Sequence, residues 1–211
     1  MTKNKFEPDD PKARWLSTGK APNRDMILLE EFVYWDREGK LWAAPVGSEV
    51  DGASIPQALW AIVGSPFTGC YRRASILHDV ACDNAQNDFP ARREADRMYY
   101  YACRKGGCSI PEAIVQYLGV TIGAWASRIK HLDVYDQEVV VEALTDGERR
   151  QREITDAVIV GTFNELKLGV QQYMTEAESL ELADEDSLFE NVRAEVDRQL
   201  DIKTKQLGAI L

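Results

Sequence analysis

Val50-Asp51-Gly52-Ala53-Ser54-Ile55-Pro56, Leu77-His78-Asp79-Val80-Ala81-Cys82 and Glu94-Ala95-Asp96-Arg97 are the three segments around which the chain is organised. The middle piece lies in a helical pattern over about residues 71–85. Ala74, Leu77 and Ala81 share one face there, with His78 and Cys82 one turn apart beside it. Asp88-Phe89-Pro90 reads as a turn and helix start. Ala95, Met98, Tyr99 and Ala102 then mark a helix over 91–105 that Gly106-Gly107 ends. If these helices run antiparallel, Asp96 falls roughly level with His78. A carboxylate at that level fixes the histidine tautomer and favours its protonated form.

Working outward, Ser109-Ile110-Pro111-Glu112 opens a third helix, with serine as cap, proline in the first turn and glutamate closing a capping box. Ile114, Val115, Leu118, Ile122 and Trp125 form its apolar side. On the N-terminal flank, Ser54 reads as the cap of a helix with Pro56 in its first turn and Leu59, Trp60, Ile62 and Val63 on its apolar face. Gly64-Ser65-Pro66 breaks that helix. Met26–Leu29, Phe32–Trp35 and Leu41–Val46 read as strands. The Asp36–Lys40 turn makes a hairpin of the last two, and Pro45 belongs at a strand end or sheet edge.

Residues 1–25 are polar and hold Pro8, Pro11 and Pro22, which suggests an irregular arm. From about 132 acidic and polar residues dominate. Leu188, Phe189, Val192, Val196 and Leu200 recur there at helical spacing, an amphipathic stripe that must dock on this domain or on another subunit. The expected architecture is α+β: a small N-terminal β-hairpin sheet on a helical core, with an acidic helical C-terminal extension. The expected divisions are 1–25, 26–131 and 132–211.

Composition narrows the function classes. At 211 residues, 45% hydrophobic and 28% charged, the chain is that of an ordinary globular protein. A formal net charge of −10 argues against nucleic acid as a partner, leaving a local basic patch at Arg72, Arg73, Arg92, Arg93 and Arg97. Met1-Thr2-Lys3-Asn4-Lys5 has no apolar run after it, and Ala113–Trp125 is too short to span a bilayer. The expectation is synthesis in the cytoplasm, with no transmembrane segment. Cys70, Cys82, Cys103 and Cys108 lack paired metal-ligand spacing and read as reduced, partly buried thiols.

The residues fit more than one chemistry. Neighbours on a helix point about 100° apart, so His78 and Asp79 cannot pair with each other. His78 can face a water with Asp96 behind it, while Asp79 faces a cation such as Ca2+ with oxygens of the Asp51-Gly52 loop. They equally fit a core histidine satisfied by Asp96, an exposed Asp79 and a structural turn at Asp51-Gly52. Cys82, one turn after His78, would with Asp96 make a transition-metal donor set, or it is small core filler.

The run from Val50 to Pro56, with Trp60, Ser65-Pro66, Arg72-Arg73-Ala74, His78-Asp79, Cys82 and Ala95-Asp96, resembles a phage- and prophage-encoded protein family of unknown function over about residues 26–127. That resemblance implies a bacteriophage origin, synthesis in the host cytoplasm and a place in the virion. Phage structural proteins would then be partners of residues 132–211. His78-Asp79 with Asp96 on the next helix also resembles the centre of the phospholipases A2, especially the short bacterial kind. This second likeness implies a phospholipid substrate, catalytic roles for His78 and Asp96, and calcium on Asp79 and the Asp51-Gly52 loop. Cys82 stands where that family usually has tyrosine. The alternative is a non-catalytic virion protein, structural or accessory, whose tail docks on other subunits.

Overall fold

The computed structural model describes residues 4–17, 25–65, 67–129, 144–179 and 184–210. The expected division at 131/132 lies outside them, as do Pro22 and Pro66. Six short strands come first: β1 (Lys5–Glu7), β2 (Ala13–Trp15), β3 (Met26–Leu28), β4 (Phe32–Trp35), β5 (Leu41–Ala44) and β6 (Glu49–Val50). They form two antiparallel sheets, ordered β1-β4-β5 and β2-β3-β6. The expected single sheet is therefore two, and part of the arm expected to be irregular supplies a strand to each. Phe6 is the anchor: it is buried and stacks on Phe32, with ring centroids 5.7 Å apart. One apolar residue in a polar stretch is too little signal to announce a strand.

Turn chemistry sets the β4–β5 hairpin. The Asp36 carboxylate accepts from the N–H of Glu38 at 3.0 Å and of Lys40 at 2.8 Å, and from Trp42 Nε1 at 3.0 Å. Pro45 follows β5 directly, where a residue without an N–H costs the ladder nothing.

After β6 the chain crosses the helical core as an extended segment. Ser54 caps no helix. A 3-10 turn over Gln57–Leu59 has Pro56 at its N-cap with no side-chain bond, and leads into the single-turn helix α1 (Trp60–Val63). The segment instead fills a notch in a later helix. Ile55 packs on Gly119, and a Cβ at Gly123 would lie 2.3 Å from the Ser54 carbonyl oxygen, so only glycine permits that approach.

Three helices build the core: α2 (Arg72–Ala85), α3 (Phe89–Lys105) and α4 (Ile110–Ala126). Asp88 caps α3 through the Ala91 N–H at 3.1 Å, and α4 begins with the expected Ser109–Glu112 capping box. Helices α2 and α3 are antiparallel. His78 bonds Asp96 and Ser75 meets Tyr99, so residue numbers rise on one helix as they fall on the other.

A disulfide joins Cys70 to Cys108 with Cα atoms 5.1 Å apart, while Cys82 and Cys103 are free and buried. The expectation of four thiols fails because partners 38 residues apart carry no pairing signal in their spacing. The turn before α2 and the α3–α4 turn bring them together.

Two long helices complete the fold, α5 (Asp146–Ser179) and α6 (Glu185–Ile210). Helix α5 buries Ile159, Phe163, Leu166 and Val170, a helical spacing that the sequence reading passed over. Helix α6 docks on the chain's own core. Leu188 is 9% exposed, Leu200 6%, and Phe189, Val192 and Val196 not at all. Phe189 stacks on Tyr100 at 3.7 Å between centroids and meets Tyr101 and Tyr117 edge-on. Arginines of α3 and the β4–β5 turn meet α6 acids around it: Arg104 to Glu185 at 2.9 Å, Arg97 to Glu190 at 2.7 Å, Arg37 to Asp186. Exposed pairs of this kind are worth little singly, so the apolar stripe holds the helix and the charges orient it. Among the described residues no helix is long and apolar enough to cross a membrane.

Truncating Phe189 to alanine removes the centre of that aromatic cluster and should cost about 3–5 kcal/mol of stability. The check is denaturant unfolding of the full chain; a loss under about 1 kcal/mol would mean that α6 is held elsewhere.

Candidate functional site

His78 comes from the middle of α2 and Asp96 from the first half of α3; both side chains are wholly buried. His78 Nε2 lies 2.9 Å from Asp96 Oδ1, the pairing expected from the helix spacing. The other carboxylate oxygen accepts from Arg93 Nη1 at 2.9 Å. Arg93 also donates to Thr121 Oγ1 and Tyr117 Oη of α4, each at 2.8 Å, and to Asp197 of α6.

Burial alone would raise the Asp96 pKa, yet the bond from His78 and the charges of His78 and Arg93 hold it below the usual carboxylate range. For His78 burial acts against the charged ring. Cys82 and the hydrogen bond that the ring donates to Asp96 outweigh it, and its pKa is raised to about 10. An ion pair with its second oxygen satisfied is the condition under which burying these charges is tolerable.

Cys82 Sγ lies 3.7 Å from Nδ1 and 3.5 Å from Nε2. The two nitrogens direct their in-plane bonds well apart, so an atom almost equidistant from both lies along neither. The sulfur packs on the ring; it is aligned neither as a nucleophile nor as a metal ligand. Donor atoms of His78, Cys82 and Asp96 nonetheless lie within 4.8 Å of one another, close enough to hold an ion after the cysteine rotates. Sulfur and imidazole suit a transition metal and do not indicate calcium.

The residues expected to bind calcium sit apart from that cluster. Asp79 is 8% exposed, not on the surface as a plain helix residue would be. Its Oδ2 accepts from the N–H of Asp51 at 2.8 Å and of Gly52 at 3.3 Å. Gly52 has φ of 115°, a left-handed conformation that aims its N–H at the carboxylate. The loop therefore offers Asp79 its amides, and Asp79 ties β6 and the following segment to α2. Burial and then the Asp51 charge push the Asp79 carboxyl up to about 7.

The candidate basic patch is dispersed. Arg72 pairs with Asp10, Arg73 donates to the Asp9 carbonyl, and Arg97 bridges Glu38 and Glu190. Arg93 is buried. Its site role was missed by sequence reasoning, although its position three residues before Asp96 on a helix was the available signal. Tyr117, Thr121 and Asp197 carried none.

Because the folded protein keeps the Asp79 proton up to about 7, against 3.8 for a free side chain, the unfolded state loses that proton first. Stability from this group is full at low pH and falls as pH rises across that window. Asp79→Asn should remove that part of the slope in denaturant midpoints measured across the window. An unchanged slope would show that Asp79 titrates normally.

Residues 26–120 match the model of a family described as protein of unknown function (DUF1353). Over 93 residues the chain is 38% identical to the uncharacterized protein y4jT of Sinorhizobium fredii (strain NBRC 101917 / NGR234), covering 44% of this chain and 27% of that protein. Over 94 residues it is 33% identical to the uncharacterized protein y4iH of the same strain, covering 44% of this chain and 38% of that protein. The chain thus spans well under half the length of either relative. No solved structure matches it significantly. The matched stretch is similar to a family whose function is not established, and it contains Asp51, Gly52, His78, Asp79, Arg93 and Asp96.

Proposed function

We propose that the α2–α3 pair carries a histidine-dependent ester hydrolase centre of phospholipase A2 type, acting on phospholipid. The observation that carries this reading is the 2.9 Å His78–Asp96 bond between antiparallel helices, with the carboxylate next in sequence, Asp79, on the 51–52 loop. With its proton held on Nε2 by Asp96, the neutral ring keeps Nδ1 as the base that takes a proton from water. Arg93 on the far oxygen keeps Asp96 an anion that orients and does not accept that proton. The water oxygen attacks the ester carbonyl, the acyl–oxygen bond breaks, and the imidazolium returns its proton to the departing alkoxide.

Calcium fits the other end of this reading. Asp79 and Asp51 are two carboxylates held close enough to repel, which a divalent cation relieves. When bound there, the ion would supply positive charge for the developing oxyanion. Residues that would hold it are Asp79 through its second oxygen and Asp51.

A second reading is favoured by one observation: His78 is 0% exposed, and its pKa of about 10 leaves it charged at neutral pH. Under that reading the network is a structural tie in a non-catalytic accessory or virion protein.

Fatty-acid release from phospholipid vesicles separates the two. Hydrolysis should rise with pH towards about 10 as the ring loses its proton, and should fall on chelation of calcium. His78→Ala should lower turnover roughly a hundredfold or more, near 3 kcal/mol of barrier. Asp96→Asn should cost less, since Asp96 orients the base and takes no proton itself. No release at any pH by chain whose circular dichroism and unfolding midpoint are intact decides for the structural tie.

A further inference from the structure

A cavity of about 530 Å³ opens where the start of α3, the end of α4 and the C-terminal half of α6 meet. Phe89, Pro90, Trp125 and Leu200 give it an apolar wall. Its volume and its mix of an apolar lining with a few polar groups are those of small-molecule sites.

Most polar groups on this lining are already committed. Trp125 Nε1 donates to Thr204 Oγ1 at 2.8 Å, which fixes the indole. Arg93 is held by Asp96 and Asp197, and Arg193 by Glu94 and Glu190. Arg128 differs. Its guanidinium carbon sits over the Phe89 ring, 3.8 Å from the centroid. Among the described residues no carboxylate forms an ion pair with it. An exposed arginine in cation–π contact with an aromatic at the edge of an apolar cavity, with no carboxylate partner among the described residues, has N–H donors to offer a planar anion. The exposed Asp201, also on the lining, sets a limit: it repels a second negative charge, so a ligand with one charged end fits better than a polyanion.

We propose that this cavity binds a single-chain amphiphilic monocarboxylate, its tail along Phe89, Pro90, Trp125 and Leu200 and its carboxylate on Arg128. This goes beyond the hydrolytic reading and is tested without turnover.

The experiment is calorimetric titration of the full chain with decanoate below its micelle concentration, beside acetate and decyltrimethylammonium. Decanoate should bind with one-to-one stoichiometry, and acetate, lacking a tail, should not. The cationic amphiphile should bind at least about tenfold more weakly, the scale of one charge-assisted hydrogen bond. Arg128→Gln should weaken decanoate by a similar factor, and Arg128→Glu should abolish it. Arg128 is exposed in the turn just after α4, so neither variant threatens folding. Leu200→Ala enlarges the cavity and should weaken decanoate without changing the preference for anion over cation. The proposal is overturned if decanoate does not bind, if the cation binds equally well, or if Arg128→Gln leaves the affinity unchanged.

Discussion

One guanidinium links the helices whose apolar faces form the core. Arg93 rises from α3, reaches Tyr117 and Thr121 on α4 and Asp197 on α6, and through Asp96 touches His78 on α2. Three helices meet directly on one side chain, and a fourth through Asp96, because the planar fork of donors suits several acceptors at once. A lysine at this position would supply one point of charge and leave most of those acceptors unpaired in the interior, at a cost of about 1–3 kcal/mol for each.

That constraint links fold to chemistry. The buried carboxylate of Asp96 lies between the guanidinium of Arg93 and the ring of His78, and the half-exposed Asp197 meets Arg93 from the solvent side. The raised pKa of His78 is a property of the α2–α3 pair, set by Cys82 and Asp96 against the cost of burial. If hydrolysis occurs here, the base must first be discharged, which moves its working range to alkaline pH. The same network explains why α6 is acidic. Its carboxylates answer arginines already present on α3 and on the β4–β5 turn, while Phe189 packs among three tyrosines at the centre of the buried apolar stripe.

Local signals carried much of this structure. The capping box at Ser109, the Pro90 break and the apolar periodicities placed α2, α3 and α4 and set His78 level with Asp96. The hairpin at Asp36–Lys40 and the stripe from Leu188 to Leu200 were equally plain. What escaped depended on distant partners. Ser54 looked like a helix cap, but its backbone is drawn into the notch at Gly123, a contact between residues far apart in the chain. Cys70 and Cys108 met only after two turns were packed together. Arg93 looked like part of a basic surface because nothing local told that Asp197, more than a hundred positions on, would cover it.

The state of His78 is the point on which the buried network and any catalysis both turn. Its direct measurement is an NMR titration of the imidazole nitrogens, from mildly acidic to strongly alkaline pH, with His131 substituted so that one ring remains. A ring doubly protonated at neutral pH, losing its proton only as the pH nears about 10, with Nε2–H protected from exchange, is the expected result. A ring that titrates near the ordinary value of 6.5 and exchanges freely would mean that the buried His78–Asp96 pair does not exist as described.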